Sequence, residues 1–129
     1  MSDLIRPNFT RLELACRCGC GLLPPDDFLD ALQDLRDELG APMHIASGAR
    51  CPDHNCRVSS TGTNGPHTIG AVDVRVSGGA ALILVGVAMR NGWGGIGVKQ
   101  HGPQGSRFIH LDRIPPGGKH PRPWIWSYA

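Results

Sequence analysis

Hydrophobic residues recur at helical spacing in one early stretch. Phe28, Leu32, Leu35 and Leu39 lie three or four positions apart, the interval that lines up side chains on one face of an α-helix. Pro24-Pro25-Asp26-Asp27 precedes them, with proline suited to a first turn and acids to its positive end, and Gly40 follows as a terminator. Upstream, Thr10 stands three residues before Glu13 in the capping-box pattern, which predicts a helical turn from about Thr10 to Ala15. Met43 to Ser47 reads as a short strand broken by Gly48, and Pro52 begins a second short helix. Residues 59–66 are a polar loop, and Gly70 to Val76 is a buried strand. Gly78 to Arg90 is apolar nearly all round, so a buried helix closed by Asn91-Gly92 is expected. Gly94–Lys99 and Arg107–Asp112 predict two more strands, joined by a glycine-rich loop that holds His101. After a proline-rich tail from Ile114, Trp124 to Tyr128 alternates like a last strand. Short helices flanking a small, mostly antiparallel sheet make an α+β fold, and the length of 129 residues predicts a single domain over 1–129.

Composition narrows the class. Gly 18 and Pro 11 suit short elements and many turns, while 40% hydrophobic content excludes a disordered chain. No apolar run reaches the roughly 18 residues of a membrane span. The opening Met-Ser-Asp-Leu-Ile-Arg lacks the basic-then-apolar pattern of a secretory signal, so synthesis in the cytoplasm as a monomer is expected. The net charge of +2 hides an asymmetry: residues 1–40 hold eight acids and four bases, and residues 41–129 hold nine bases and three acids. A basic second half favours an anionic partner, such as nucleic acid, a carboxylate-bearing peptide or a cell-wall polymer. Nucleic acid fits least, because there is no basic run and no stripe of interleaved aromatic and basic residues. Gly92-Trp-Gly-Gly95 is not a phosphate loop either, since no Gly-Lys-Ser/Thr follows it.

The scarcity of acids matters more. Two of the three acids after residue 40, Asp73 and Asp112, sit in stretches that also carry histidine, Pro66-His-Thr-Ile-Gly-Ala-Val-Asp73 and Phe108-Ile-His-Leu-Asp112. His67, Asp73 and His110 are the ligand types of a catalytic zinc, which takes three protein groups and leaves a fourth position for water. His67 falls in a loop leading into the strand of Asp73. His110 and Asp112 are two apart on a strand, so both side chains leave the same face. Asp112 could then orient the ligand or act on a bound water. Trp124, Trp126 and Tyr128 read as strand packing before they read as a sugar platform, and Trp93 as the edge of the core.

Five cysteines, Cys16, Cys18, Cys20, Cys51 and Cys56, leave an odd total. Cys-x-Cys-x-Cys is not the paired spacing of a zinc ribbon, and cytoplasmic synthesis disfavours disulfides. Three readings stay open: packing or bridges between the first cluster and the Cys51 loop, a second, structural zinc (with His54 as a candidate ligand), or free thiols.

Ser47-Gly-Ala-Arg-Cys-Pro-Asp-His-Asn55, Pro66 to Asp73, Phe108 to Asp112 and Trp126-Ser-Tyr128 follow one another in an order that resembles the zinc D-alanyl-D-alanine carboxypeptidase family. Within it, the likeness is to the small branch found in phages and prophages. Phe9 to Cys20 extends the likeness over almost the whole chain. The resemblance implies the hedgehog-like zinc peptidase fold, zinc on His67, Asp73 and His110, and Arg50 gripping a substrate carboxylate or an oxyanion. It implies peptide-bond cleavage in bacterial peptidoglycan peptides, by an endolysin-type or tail-associated phage enzyme that reaches the cell wall after lysis-linked release or on a particle. The family places one more residue between its first histidine and its aspartate than the six-position step from His67 to Asp73. A one-residue slip along a strand would turn Asp73 to the other face. Well-studied relatives also carry an acidic base three residues before the last ligand, where this chain has Arg107, which cannot serve. Asp112 is therefore the expected general base, with His101 a weaker candidate. The alternative is a non-catalytic zinc-binding structural or cell-wall recognition module of the same fold.

Overall fold

The computed structural model describes residues 3–129. The chain opens with a small hairpin, β1 (Leu4–Arg6) and β2 (Phe9–Thr10), too short to show in the hydrophobic pattern. Helix α1 (Arg11–Leu14) follows, with the Thr10 hydroxyl accepting from the Glu13 N–H and the Glu13 carboxylate accepting from the Thr10 N–H, as the capping box predicts. Helix α2 (Asp26–Leu39) starts at Pro25 and stops at Gly40, whose left-handed φ of 66° ends the helix.

Five strands make the main sheet: β3 (Ile45–Ser47), β4 (Ala71–Arg75), β5 (Gly95–Lys99), β6 (Phe108–Asp112) and β7 (Trp124–Ser127). Their spatial order is β3-β4-β6-β5-β7, antiparallel throughout except for β5 and β7, which run parallel. The α+β expectation holds, and the single parallel pair arises because β7 enters the edge after the long proline-rich crossing from β6. Short helices α3 (Pro52–Val58) and α4 (Pro66–Ile69) lie between β3 and β4, and α5 (Gly78–Arg90) lies between β4 and β5.

Strand alternation gives the sheet two chemically different faces. Val72, Val74, Ile96, Ile109 and Leu111 point to the core, where Leu29, Leu32 and Leu35 of α2 and Ala81, Leu84 and Ala88 of α5 close over them. Trp93 belongs to this core at 2% exposure, its ring edge-on to Phe28 at 5.4 Å. The expectation that α5 is buried all round is corrected: Leu82, Ile83 and Met89 stand in solvent, at 75%, 60% and 65% exposure. A helix laid on a sheet has only one stripe to bury, and here the stripe takes the small Ala81 and Ala88 with Leu84 and Val87.

The opposite face carries polar groups in register. Asp73 pairs with His110, His110 with Gly97, and Gly97 with Trp126, so one row crosses four strands. The next row holds Ala71, Asp112, Gly95 and Trp124. The two β5 glycines leave room that their neighbours use. A Cβ on Gly97 would lie 2.7 Å from Trp126 Nε1 and 2.9 Å from His110 Cβ, and one on Gly95 would lie inside the Asp112 carboxylate. Gly97→Ala is therefore expected to destabilise the protein by about 1–3 kcal/mol. It should also displace the Trp126 indole, which a change in tryptophan fluorescence would report; an unchanged spectrum and melting temperature would contradict the close-approach argument.

Candidate metal centre

His67, Asp73 and His110 come from three places in the chain and meet at one point. His67 does not sit in a loop as expected but on α4, a one-turn helix that begins at Pro66 and ends at Gly70. That compact turn absorbs the short step to Asp73. Asp73 keeps the register opposite His110, and no slip turns it away. The Asp73 Oδ1 oxygen lies 3.2 Å from His67 Nε2 and 3.1 Å from His110 Nδ1. All three side chains are buried, with His110 at 1% exposure.

These spacings suit a small cation. Zinc–ligand bonds of about 2.0–2.1 Å in a tetrahedron put neighbouring donor atoms about 3.3 Å apart. Two imidazole nitrogens and one carboxylate oxygen are also a usual catalytic donor set, so the residues present fit the ion.

The far side of each ring is tied down. His67 donates its Nδ1–H to the Gly48 carbonyl at 2.8 Å, which turns Nε2 toward Asp73. His110 donates its Nε2–H to Asp112 Oδ2 at 2.8 Å, which leaves Nδ1 facing the cluster. Such partners hold the tautomer and ring orientation that a metal needs. The two rings meet edge-on at 5.1 Å, and Trp126 packs against His110 at 5.0 Å.

Electrostatics follow the geometry. Burial alone would raise the Asp73 pKa, but hydrogen bonds to His110 and His67 hold it well below the ordinary carboxylate range. Burial alone would depress His110, yet the hydrogen bonds to Asp112 and Asp73 raise it. A cation and a proton compete for the same imidazole lone pair, so acid opposes metal binding here.

Asp112 does not stand where a general base must. It is 0% exposed, and both oxygens are engaged. Oδ1 accepts from Arg122 Nε at 2.9 Å and from the Ile114 N–H at 3.2 Å; Oδ2 accepts from Arg122 at 2.8 Å as well as from His110. Burial pushes its pKa up, but the hydrogen bonds from His110 and Arg122 outweigh that and bring it to about 2. It sits behind His110, with no oxygen free for a water in the cleft. These contacts are those of a carboxylate that positions His110, and they leave the expected role of Asp112 as base without a free oxygen to perform it. His101 does not line the cleft either; its Nε2 bonds the Tyr128 carbonyl at 3.2 Å. Arg107 does not line the cleft; it lines a separate pocket with Ile109 and Leu82, and its Nε donates to the Gly102 carbonyl at 3.0 Å.

The three candidate ligands open onto a cleft of about 400 Å³, within the range of small-ligand sites. Ser59, Ser60 and Thr61 form one wall, and Phe108, Trp126 and Tyr128 the other. Arg50 borders it, with its guanidinium 3.7 Å from the outer oxygen of Asp73 and its Nη1 donating to Asn55 Oδ1 at 3.3 Å. Asn55 is 1% exposed and also donates to Thr61 Oγ1, so it links Arg50 to the serine–threonine wall. Burial raises the Tyr128 pKa, which keeps its phenol protonated at neutral pH.

Sequence reasoning did not single out Asn55 and Arg122. Nothing in a proline-rich tail marks Arg122 as the partner of a buried acid. Gly95-Ile-Gly97 did carry a signal, since alternate glycines in a strand indicate close approach on one face.

A family model described as peptidase M15 matches residues 7–112, which include every one of the candidate ligands. No curated protein and no solved structure gave a match.

Proposed function

As the chain belongs to the peptidase M15 family of zinc-dependent peptidases, we propose that it hydrolyses peptide bonds in the stem or cross-bridge peptides of bacterial peptidoglycan. The observation that carries this reading is the convergence of His67, Asp73 and His110 at the floor of a cleft with Arg50 on its border. The ligand set is His67, Asp73 and His110. Zinc held there supplies an acidified water and a polarised scissile carbonyl.

The chain's own groups supply the rest. Arg50 is fixed from both sides, by Asp73 and by Asn55, and offers the cleft a permanent cation for a substrate carboxylate or for charge that develops on oxygen. Asp112 and the Gly48 carbonyl hold the two imidazoles in the tautomers that expose a lone pair. Tyr128 acts as a hydrogen-bond donor rather than a base, because its phenol stays protonated. The aromatic wall excludes water from one side of the bound peptide. The basic second half of the chain favours anionic wall polymers. We place the activity at the cell wall, reached on lysis-linked release or on a phage particle; the resemblance to the small phage branch supports that placement.

Mass spectrometry of purified peptidoglycan after digestion tests the proposal, because the fragments give both activity and the bond cut. New free amines or released D-alanine are expected. Arg50→Gln should lower kcat/KM by about 100-fold while zinc content stays unchanged. Loss of zinc in that variant would instead make Arg50 a support of the metal site.

One observation favours a second reading, a non-catalytic zinc module that recognises the wall. Among the described residues that line the cleft, Asp73 is the only carboxylate, and it is a proposed ligand. Zinc-loaded protein that binds peptidoglycan and releases no amine would establish this reading.

A further inference from the structure

A second group of metal-type donors lies away from the cleft. Cys16, Cys18, Cys20 and Cys51 bring four sulfurs within 4.8 Å of one another. Cys16 Sγ is 3.4 Å from Cys18 Sγ, and Cys18 Sγ is 3.6 Å from Cys51 Sγ. Disulfide sulfurs bond at about 2.0 Å and come in pairs. Four mutually close sulfurs are instead the edges of a tetrahedron: zinc–sulfur bonds of about 2.3 Å give edges of about 3.8 Å. From this geometry we propose that Cys16, Cys18, Cys20 and Cys51 form a closed, structural zinc site.

The local backbone serves that arrangement. In an extended chain, Cys-x-Cys-x-Cys would hold its sulfurs apart in a row. Gly19 and Gly21 adopt φ of 89° and 85°, which other residues rarely do, and curl the segment back on itself. Cys16 closes the turn, its N–H bonding the Leu22 carbonyl at 2.8 Å and its own carbonyl accepting from the Gly19 N–H. Two backbone amides already point at sulfur: the Cys51 N–H lies 3.3 Å from Cys16 Sγ, and the His54 N–H lies 3.4 Å from Cys51 Sγ. Amide donors of this kind support thiolate ligands. His54 contributes that amide, and the fourth ligand is a sulfur in place of its imidazole. Four like, soft donors with no open position suit zinc in a structural role. Cys56 is exposed and stands outside the group.

The site clamps two distant segments where the cleft needs them. Cys16 continues from Leu14, whose carbonyl accepts from the Ala49 N–H at 2.9 Å. A Cβ on Gly48 would lie only 2.5 Å from that carbonyl oxygen, so the two backbones touch. Gly48 supplies the carbonyl that orients His67, and Arg50 adjoins Cys51. Ordering residues 16–20 against Cys51 therefore holds the span from Gly48 to Arg50 in place.

Metal analysis of the full chain, purified without chelator, tests this independently of any activity. About two zinc ions per chain are expected in the wild type, and about one in Cys18→Ser and in Cys51→Ser. Cys56→Ser should keep both. His110→Ala should also keep one, held by the sulfurs, and its cobalt-substituted form should show sulfur-to-cobalt charge-transfer absorption in the near ultraviolet. That absorption must vanish in Cys18→Ser. If the cysteine variants fail to fold, the cobalt spectrum of His110→Ala still decides the matter. The proposal is overturned by a zinc content that Cys18→Ser leaves unchanged, by absence of the charge-transfer bands from cobalt-loaded His110→Ala, or by a denatured, metal-stripped and unreduced mass short of the two hydrogens that each disulfide at these positions would remove. None of these results touches the His67, Asp73 and His110 site, whose failure would instead appear as zinc retained in full by His110→Ala.

Discussion

Replacing His110 with alanine is expected to abolish the proposed peptidase activity, a fall of more than about 1,000-fold, because the acidified water would depend on an ion that His110 would help to hold. His67→Ala should do the same. Each histidine would supply one of the three proposed protein donors, and each is buried with its far nitrogen already committed. Zinc content measured beside activity separates this from a folding defect. Loss of one zinc with an unchanged far-ultraviolet circular dichroism spectrum is the expected result. Zinc retained in full by both variants would remove His67 and His110 from the site.

Asp112→Ala should give the largest loss of stability. Its carboxylate is enclosed between His110 and Arg122, and removing one partner of a buried pair leaves the other charge uncompensated. The expected cost is about 3–5 kcal/mol. Asp112→Asn should not rescue it. Both oxygens accept from donors, so either orientation of an asparagine amide places an NH2 group against Arg122. Zinc affinity should fall by about 10–100-fold as the His110 ring loses its orientation. A residue acting as base would instead lower kcat while affinity and stability stayed put. Normal zinc affinity with lost turnover would therefore restore Asp112 to a catalytic role.

The same pair predicts acid sensitivity. The folded pKa of Asp112, about 2, lies below its ordinary value of 3.8. The folded state thus binds the proton less readily than the unfolded chain, and the stabilisation is complete above the ordinary value. It is lost as pH falls from there through about 2. Asp73, also held low, adds to the loss. Thermal melts of metal-free protein should show melting temperature dropping across that range, with a shallower drop in Asp112→Ala.

Local patterns in the sequence determined most of the elements. The capping box of Thr10 and Glu13, the Leu32–Leu35–Leu39 stripe closed by Gly40, and the short strands around Asp73 and His110 are all set by neighbours within a few residues. The ligand types were legible too, because acids are so scarce after residue 40 that Asp73 and Asp112 beside histidines stood out. What no local pattern contains is which groups meet across the chain. Both oxygens of Asp112 are engaged because Arg122, ten residues on in a proline-rich crossing, folds back onto it. The exposed side of α5 followed from the sheet offering only one face to cover. Whether the short step from His67 kept Asp73 in the site depended on α4 turning within four residues and on the pairing of β4 with β6. The four sulfurs likewise required the Cys16 turn to pack on Cys51, thirty-five residues away. Backbone propensity and hydrophobic period act over a few residues. Register, burial and charge pairing are settled only when distant segments share one surface, and there the tertiary structure alone decided which groups meet.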